Sequence, residues 1–279
     1  MFEKIELDCA MASHPGKIRG NNEDMAYSNG TFFINIEKPE YCTKLKFAGK
    51  FMVFAVCDGM GGESHGELAS MEAVRALEKT RKTIRRTSRN LSQVVERFKL
   101  YIEKTNQTIY EYWTNTNEGR MGSTFTGLVF YNNQAFALNL GDSRVYLQRQ
   151  GTLIRLTKDH TEAERLASRG LISREEIDTH KKKHMLVRHF GVGPDEGIME
   201  ADFSEVITPR LGDLFLLCSD GLTDMIRDEQ INLMLHEDKS AEEIALSLIL
   251  EALNKGGRDN VTVIVLKVAK LSKGIRFII

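Results

Sequence analysis

The chain has little of what marks the extreme classes of protein. Its 279 residues hold 4 prolines and 1 tryptophan. No internal repeat, low-complexity tract or Pro/Ser-rich linker interrupts them, so one domain spanning residues 1–279 is the expectation. No apolar run approaches the ~18 residues of a membrane-spanning helix. The first twelve residues carry Glu3, Glu6 and Asp8 where a secretory leader would be hydrophobic. Neither sign of charge is in excess: 38 Lys and Arg against 39 Asp and Glu leave a formal net charge of −1. That balance argues against wholesale adhesion to nucleic acid or membrane. Cysteine is scarce and without paired spacing. Cys9, Cys42, Cys57 and Cys218 read as reduced, packed thiols of a cytoplasmic protein rather than disulfides or metal ligands. A G-x-G-x-x-G fingerprint and a Walker loop are both missing, which removes the common nucleotide-binding signatures.

What the chain does have is acid at chosen places. Glu23-Asp24, Asp58-Gly59, Asp142, Asp220-Gly221 and Asp259-Asn260 each stand where a strand should end or a loop should turn. Three of them follow apolar runs, at 51–57, 135–140 and 214–218. A carboxylate beside an apolar strand is costly without a positive partner, and few basic residues are close in sequence. A bound cation is the natural partner. Hard oxygen ligands without a Cys or His cluster indicate magnesium or manganese rather than zinc. Taken singly, Asp58-Gly59 is an ordinary turn and Glu23-Asp24 a solvated loop; it is their combination, in matching strand contexts, that carries weight. Glycine at 59 would also let its carbonyl approach an ion closely.

Strands are expected at 51–57, 125–131, 134–140, 144–148, 213–218 and 261–268, several too apolar for a one-sided sheet. Asn132-Asn133 reads as a tight hairpin turn. Apolar residues at 91, 94, 95, 98, 102, 109 and 112 form the stripe of a long helix. A second helix runs over 241–253, with Ser240 and Glu243 as a capping box and Gly256-Gly257 as its stop. A third is expected from 67 to about 86. Strands packed on strands and covered by paired helices give a layered α+β domain.

Seven short motifs in order resemble those of the metal-dependent serine/threonine protein phosphatases, the PPM or type-2C family, in its bacterial branch. They are Arg19-Gly20-Asn21-Asn22-Glu23-Asp24, Asp58-Gly59-Met60-Gly61-Gly62, Gly122-Ser123-Thr124, Gly141-Asp142-Ser143-Arg144, Asp159-His160-Thr161, Ser219-Asp220-Gly221-Leu222 and Asp259-Asn260-Val261-Thr262. The likeness covers about residues 16–265. It implies a central antiparallel β-sandwich flanked by helix pairs, with a small helical flap at about 162–188. It also implies hydrolysis of phosphoserine and phosphothreonine on proteins by a metal-activated water, without a phosphoenzyme. Two Mn2+ or Mg2+ ions are implied, with a third possible. By resemblance, Asp58 bridges the two ions and Gly59 offers its carbonyl to one. Asp220 and Asp259 hold the first metal, and Glu23 and Asp24 serve the second, directly or through water. Asp142, with Asp220, matches the weaker third-metal site, and Arg19 the arginine that grips the substrate phosphate. A planar guanidinium suits that last role. Phosphoproteins and a cognate Ser/Thr kinase system are the implied partners. The alternatives are a catalytically silent, phosphatase-like binding module and a regulator dedicated to one small phosphoprotein.

Some positions depart from the family pattern. Glu63 stands where bacterial relatives usually have a histidine after the Gly-Gly pair, and the nearest histidine is His65. The acid for the leaving serine oxygen is then a water on a metal, or His65 as second choice. Lys181, Lys182, Lys183 and His184 replace a Pro- and Asn-containing turn. The lysines are either a solvated face or an attraction for acidic phosphosites. Residues 162–183 read as polar and helical, broken at Gly170. Residues 35–50 read as an inserted, partly polar hairpin or loop. The basic cluster from Arg75 to Arg89 reads as a solvated helix end, with partner docking as the alternative.

Overall fold

A computed structural model describes residues 3–32, 41–61, 65–116, 119–196, 199–235 and 238–273. In chain order the elements begin with β1 (Glu3–His14), β2 (Met25–Ser28), β3 (Thr31–Phe32), β4 (Tyr41–Gly49), β5 (Phe51–Cys57) and β6 (Gly59–Met60). Then come α1 (His65–Thr87), α2 (Leu91–Thr116), β7 (Gly122–Ser123), β8 (Phe125–Tyr131), β9 (Gln134–Leu140), β10 (Arg144–Arg149) and β11 (Thr152–Arg155). The last third holds α3 (Glu162–Ser168), β12 (Asp202–Phe203), β13 (Leu214–Cys218), α4 (Asp220–Thr223), α5 (Asp228–Leu235), α6 (Ala241–Asn254) and β14 (Val261–Lys273).

Two antiparallel six-stranded sheets stack face to face, ordered β11-β10-β13-β14-β1-β4 and β12-β9-β8-β5-β2-β3. The period of two explains why their strands read as unbroken apolar runs. Met52, Phe54 and Val56 of β5 face the other sheet, while Val53, Ala55 and Cys57 face α1 and α2. Likewise Ile264, Leu266 and Val268 of β14 fill the inter-sheet core, and Val261, Val263 and Val265 pack under α6. The layers are therefore α/β/β/α, the expected α+β sandwich.

The 134–140 and 125–131 strands pair through a two-residue turn in which Asn132 has φ 55°, the left-handed conformation that asparagine tolerates. The Ser240–Glu243 capping box opens α6, and Gly256 and Gly257 both take positive φ beyond it. On α2 the buried stripe is Val94, Phe98, Tyr101, Ile102, Thr105 and Ile109. Tyr112, expected on that stripe, is 43% exposed; the stripe ends a turn earlier, and the sheet beneath it is met by Tyr101 instead.

Two expectations are corrected. Of the residues read as an insertion, 41–49 form β4, paired with β1 from Ile5↔Gly49 to Ser13↔Tyr41. Leu45 and Phe47 pack against the inter-sheet core while Lys44 and Lys46 point out, the usual protection of an edge strand. Residues 35–40 lie outside the described part, as do Gly62 and Glu63. The segment 162–183 is helical only over Glu162–Ser168 and in one 3-10 turn at Ile177–Thr179. Its apolar residues are too few to bury a longer helix.

Candidate metal centre

Strand ends bring the carboxylates together. Asp58 follows β5, and the pairing Met25↔Cys57 sets Asp24 beside it. Asp142 follows β9, Asp220 follows β13, and Asp259 precedes β14. These strands belong to both sheets, so one end of the sandwich collects acids from almost the whole chain. The cavity there, about 440 Å3, is lined by Arg19, Glu23, Asp58, Gly59, Asp142, Asp220 and Asp259, with Thr124, His184, Leu186, Asp224 and Asn260 among the others. Every candidate metal or phosphate ligand drawn from the sequence except Asp24 lines it. Asp24 is buried just behind, where Ser219 Oγ donates to its Oδ2 at 2.7 Å.

The backbone around these acids is fixed by a few polar side chains. Thr124 Oγ1 accepts from the Asp58 N–H at 2.9 Å, and Thr124 N–H returns a bond to the Asp58 carbonyl at 2.8 Å. Asn260 accepts from the Glu23 N–H at 2.8 Å and donates to the carbonyls of Pro15 and Asn21. Ser70 Oγ donates to the Glu23 carbonyl at 2.6 Å, tying α1 to the same loop. Gly59 is packed so closely that a Cβ would lie 2.2 Å from the Gly66 carbonyl oxygen. Only glycine lets the backbone pass between β2 and α1 here.

The acids disturb one another. Burial first, then the charges of Asp24, Asp220, Asp142 and Asp259, push the Asp58 carboxyl well above its ordinary value. Burial and Asp220 raise Asp142 in the same way. Burial lifts Asp24 to about 7, against the hydrogen bonds from Ser219 and Thr262. Burial, with Asp224 and Asp259, lifts Asp220 to about 6. Asp24 Oδ1 is buried without a hydrogen-bond partner. Arg19 is the one guanidinium at this cavity among the described residues. It sits at the mouth, 55% exposed, donating to Asp259 Oδ2 at 2.6 Å. One exposed guanidinium does not offset four clustered acids. The donor set is hard oxygen, and it fits divalent magnesium or manganese.

Two polar lining residues lie outside every quoted motif. Asp224 lies one helical turn after Asp220, its N–H bonded to the Asp220 carbonyl at 2.8 Å. His184 comes from the irregular segment after α3, with Nε2 at 3.5 Å from Asp224 Oδ2. His184, Asp220 and Asp224 each present one ligand atom within 4.8 Å of the others. The i, i+4 spacing of Asp220 and Asp224 was the available signal for one; for His184 the sequence holds none, because that segment has no periodic structure to place it. His65 is not among the described residues lining the cavity.

The comparisons with known proteins agree with this geometry. Residues 36–261 match the family described as protein phosphatase 2C. The chain belongs to the protein phosphatase 2C family. Among curated members, it is 33% identical to the serine/threonine phosphatase stp of Listeria welshimeri, over 93% of this chain and 95% of that one. It is 32% identical to the protein phosphatase PhpP of Streptococcus pneumoniae, over 92% of this chain and 96% of that protein. Among solved structures, the catalytic domain of the serine/threonine protein phosphatase PstP, crystallised with two manganese ions, superposes with a TM-score of 0.74 at 30% identity. That match covers 95% of this chain and 100% of the other. The Streptococcus agalactiae serine/threonine phosphatase reaches 0.79 at 25% identity, over 94% and 99% of the two chains.

Proposed function

We propose that this protein is a metal-dependent phosphatase removing phosphate from phosphoserine and phosphothreonine of proteins, thereby reversing a Ser/Thr kinase in the cytoplasm. The observation that carries it is the convergence of Asp58, Asp142, Asp220 and Asp24 at one end of the sandwich, where each buried acid raises the proton affinity of another. Divalent ions held there would lower the pKa of a water and offset the charge of the phosphoryl oxygens. In this reading residues 1–279 are one domain, with a flap at about 162–188. Asp58 would bridge two ions, and Gly59 would offer its carbonyl to one. Asp220 and Asp259 would hold the first ion, Glu23 and Asp24 would serve the second, directly or through water, and Asp142 with Asp220 would hold a weaker third. Arg19 orients the phosphate at the mouth, where its fork matches two oxygens. No protein nucleophile takes part: burial pushes the Cys57 and Cys218 thiols up, the latter to about 12, and leaves them inert.

The test is hydrolysis of phosphoserine and phosphothreonine peptides with added Mn2+, before and after a chelator. Turnover is expected only with the ion. Full turnover in excess EDTA after dialysis would remove the metal assignment, and phosphopeptide binding without turnover would favour a silent binding module.

A further inference from the structure

The tripeptide Asp159-His160-Thr161 lines none of the metal cavity, yet all three of its residues connect to it. Asp142 is presented by the 141–144 turn between β9 and β10. His160 holds the start of that turn twice: its N–H donates to the Gly141 carbonyl at 2.8 Å, and its Nδ1 accepts from the Gly141 N–H at 3.2 Å. Because Nδ1 accepts, the ring proton sits on Nε2, which approaches Asp202 Oδ2 at 3.1 Å without hydrogen-bond alignment. Asp159 holds the other end, taking Arg144 Nε at 3.2 Å and Nη2 at 2.7 Å. Gly141 itself has φ 119°, and a Cβ there would lie 2.6 Å from Thr124, so the turn has little room to move toward β8. Asn139 also donates to the Gly141 carbonyl, at 2.9 Å.

The flap is anchored to the same residue. The His160 carbonyl accepts from the Val187 N–H at 2.8 Å, where the flap returns. Thr161 pairs with Leu186 and caps α3 by accepting from the Glu164 N–H at 3.3 Å. Asp202 takes Arg188 Nη1 at 2.9 Å with the carboxylate that faces His160. The flap thus starts and ends on the residue that grips Gly141.

We infer that His160 is a positioning residue that fixes Asp142 in the metal cavity and ties the flap to it. The inference rests on the reading of Asp142 as a ligand of the weakest ion. Outer partners that orient a ligand are worth about 10–100-fold in metal affinity or activity, and the effect of His160 belongs in that range. Its side chain acts through Asp142 and lines none of the cavity, since the bond to Val187 is made by the His160 carbonyl, which every substitution keeps.

The experiment compares His160→Ala, His160→Gln, Asp142→Asn and the double variant His160→Ala/Asp142→Asn. In the metal-free protein, amide hydrogen exchange at Gly141 is expected to accelerate at least about tenfold in His160→Ala, as a freed N–H opens without the rest of the fold. Calorimetric titration with Mn2+ should show the weakest step reduced about tenfold and the tighter ones kept. On phosphopeptides kcat should fall while KM stays, and the double variant should be no worse than Asp142→Asn. His160→Gln should recover most of each effect, since its amide offers an acceptor to Gly141 and a donor to Asp202. If His160→Ala melts far below the wild type, Asp202→Asn replaces it. Its side chain is 49% exposed, and the same effects are expected in smaller size. Unchanged Gly141 exchange, or losses that multiply in the double variant, would overturn the inference. If Asp142→Asn keeps every Mn2+ step, the role of Asp142 fails instead, and the clamp stands or falls on the Gly141 exchange alone.

Discussion

Asp58 serves function at the expense of the bare fold. Its carboxylate is pushed up by burial and by four other acids, so Asp58→Asn removes one source of repulsion along with the ligand proposed to bridge the ions. In differential scanning the metal-free variant should melt no lower than the wild type. Its kcat at saturating Mn2+ should fall by more than the ~10–100-fold typical of outer-shell partners. Wild-type turnover in Asp58→Asn would refute the bridging role. Arg19 is a different kind of residue: exposed, paired with Asp259 at the surface, and of little weight in stability. Arg19→Ala should raise KM for phosphopeptides by about tenfold, as loss of a charge-assisted hydrogen bond does. Arg19→Lys should raise it less, with kcat and melting nearly unchanged in both. If both variants keep the wild-type KM, the arginine does not hold phosphate. At this scale the sequence was most legible where a carboxylate broke an apolar run. Thr124, Ser219 and Asn260 stood inside the quoted motifs, but only the folded backbone shows which amides and carbonyls they hold.

The elements divide by how much of their burial is written locally. β5, β8 and β9 are buried on both faces and bounded by turns, so their limits could be read to the residue. β1 and β4 were not read as strands, although Ile5, Leu7, Cys9 and Met11 alternate along one and Leu45 and Phe47 along the other. Their outward charges, such as Glu6, Asp8, Lys44 and Lys46, look like loop chemistry until the partner strand is known. The segment 162–183 is the opposite case, since its polar composition suggests a longer helix where only α3 and one 3-10 turn form. Its lysines are partly engaged: Lys182 lies 3.8 Å from Glu162, and Lys183 3.3 Å from Asp224 at the cavity rim. Replacing Lys181, Lys182 and Lys183 with serine should lower kcat/KM on acidic phosphopeptides roughly three- to tenfold through lost steering. The loss should shrink as salt is raised. A small aryl phosphate should hardly notice. Equal losses on both substrates would mean that the flap, rather than its charge, had been damaged.

For the whole molecule, the cavity makes any bound ion a link between sheets, since Asp58 and Asp142 come from one sheet and Asp220 and Asp259 from the other. Mn2+ at a hundredfold excess over its Kd stabilises the native state by about 2.7 kcal/mol. For a chain of this size that corresponds to a rise in Tm of roughly 5–10 °C. The size of this rise should depend on pH. Asp24 and Asp220 have folded-state pKa values raised to about 7 and about 6, above the ~3.9 of an unfolded aspartate. The native state therefore binds more protons than the unfolded one between these limits. Without metal, the contribution of these two groups to stability is fully present below about pH 4 and is lost as pH rises through 6 and 7. Mn2+ competes with the same protons, so it should add little at pH 5 and most at pH 8. Melting curves at the two pH values, with Mn2+ and with EDTA, measure both slopes at once. A metal-free protein whose Tm rose from pH 5 to pH 8, with the same Mn2+ increment at each, would show that these carboxylates are not the ones the ion replaces protons on.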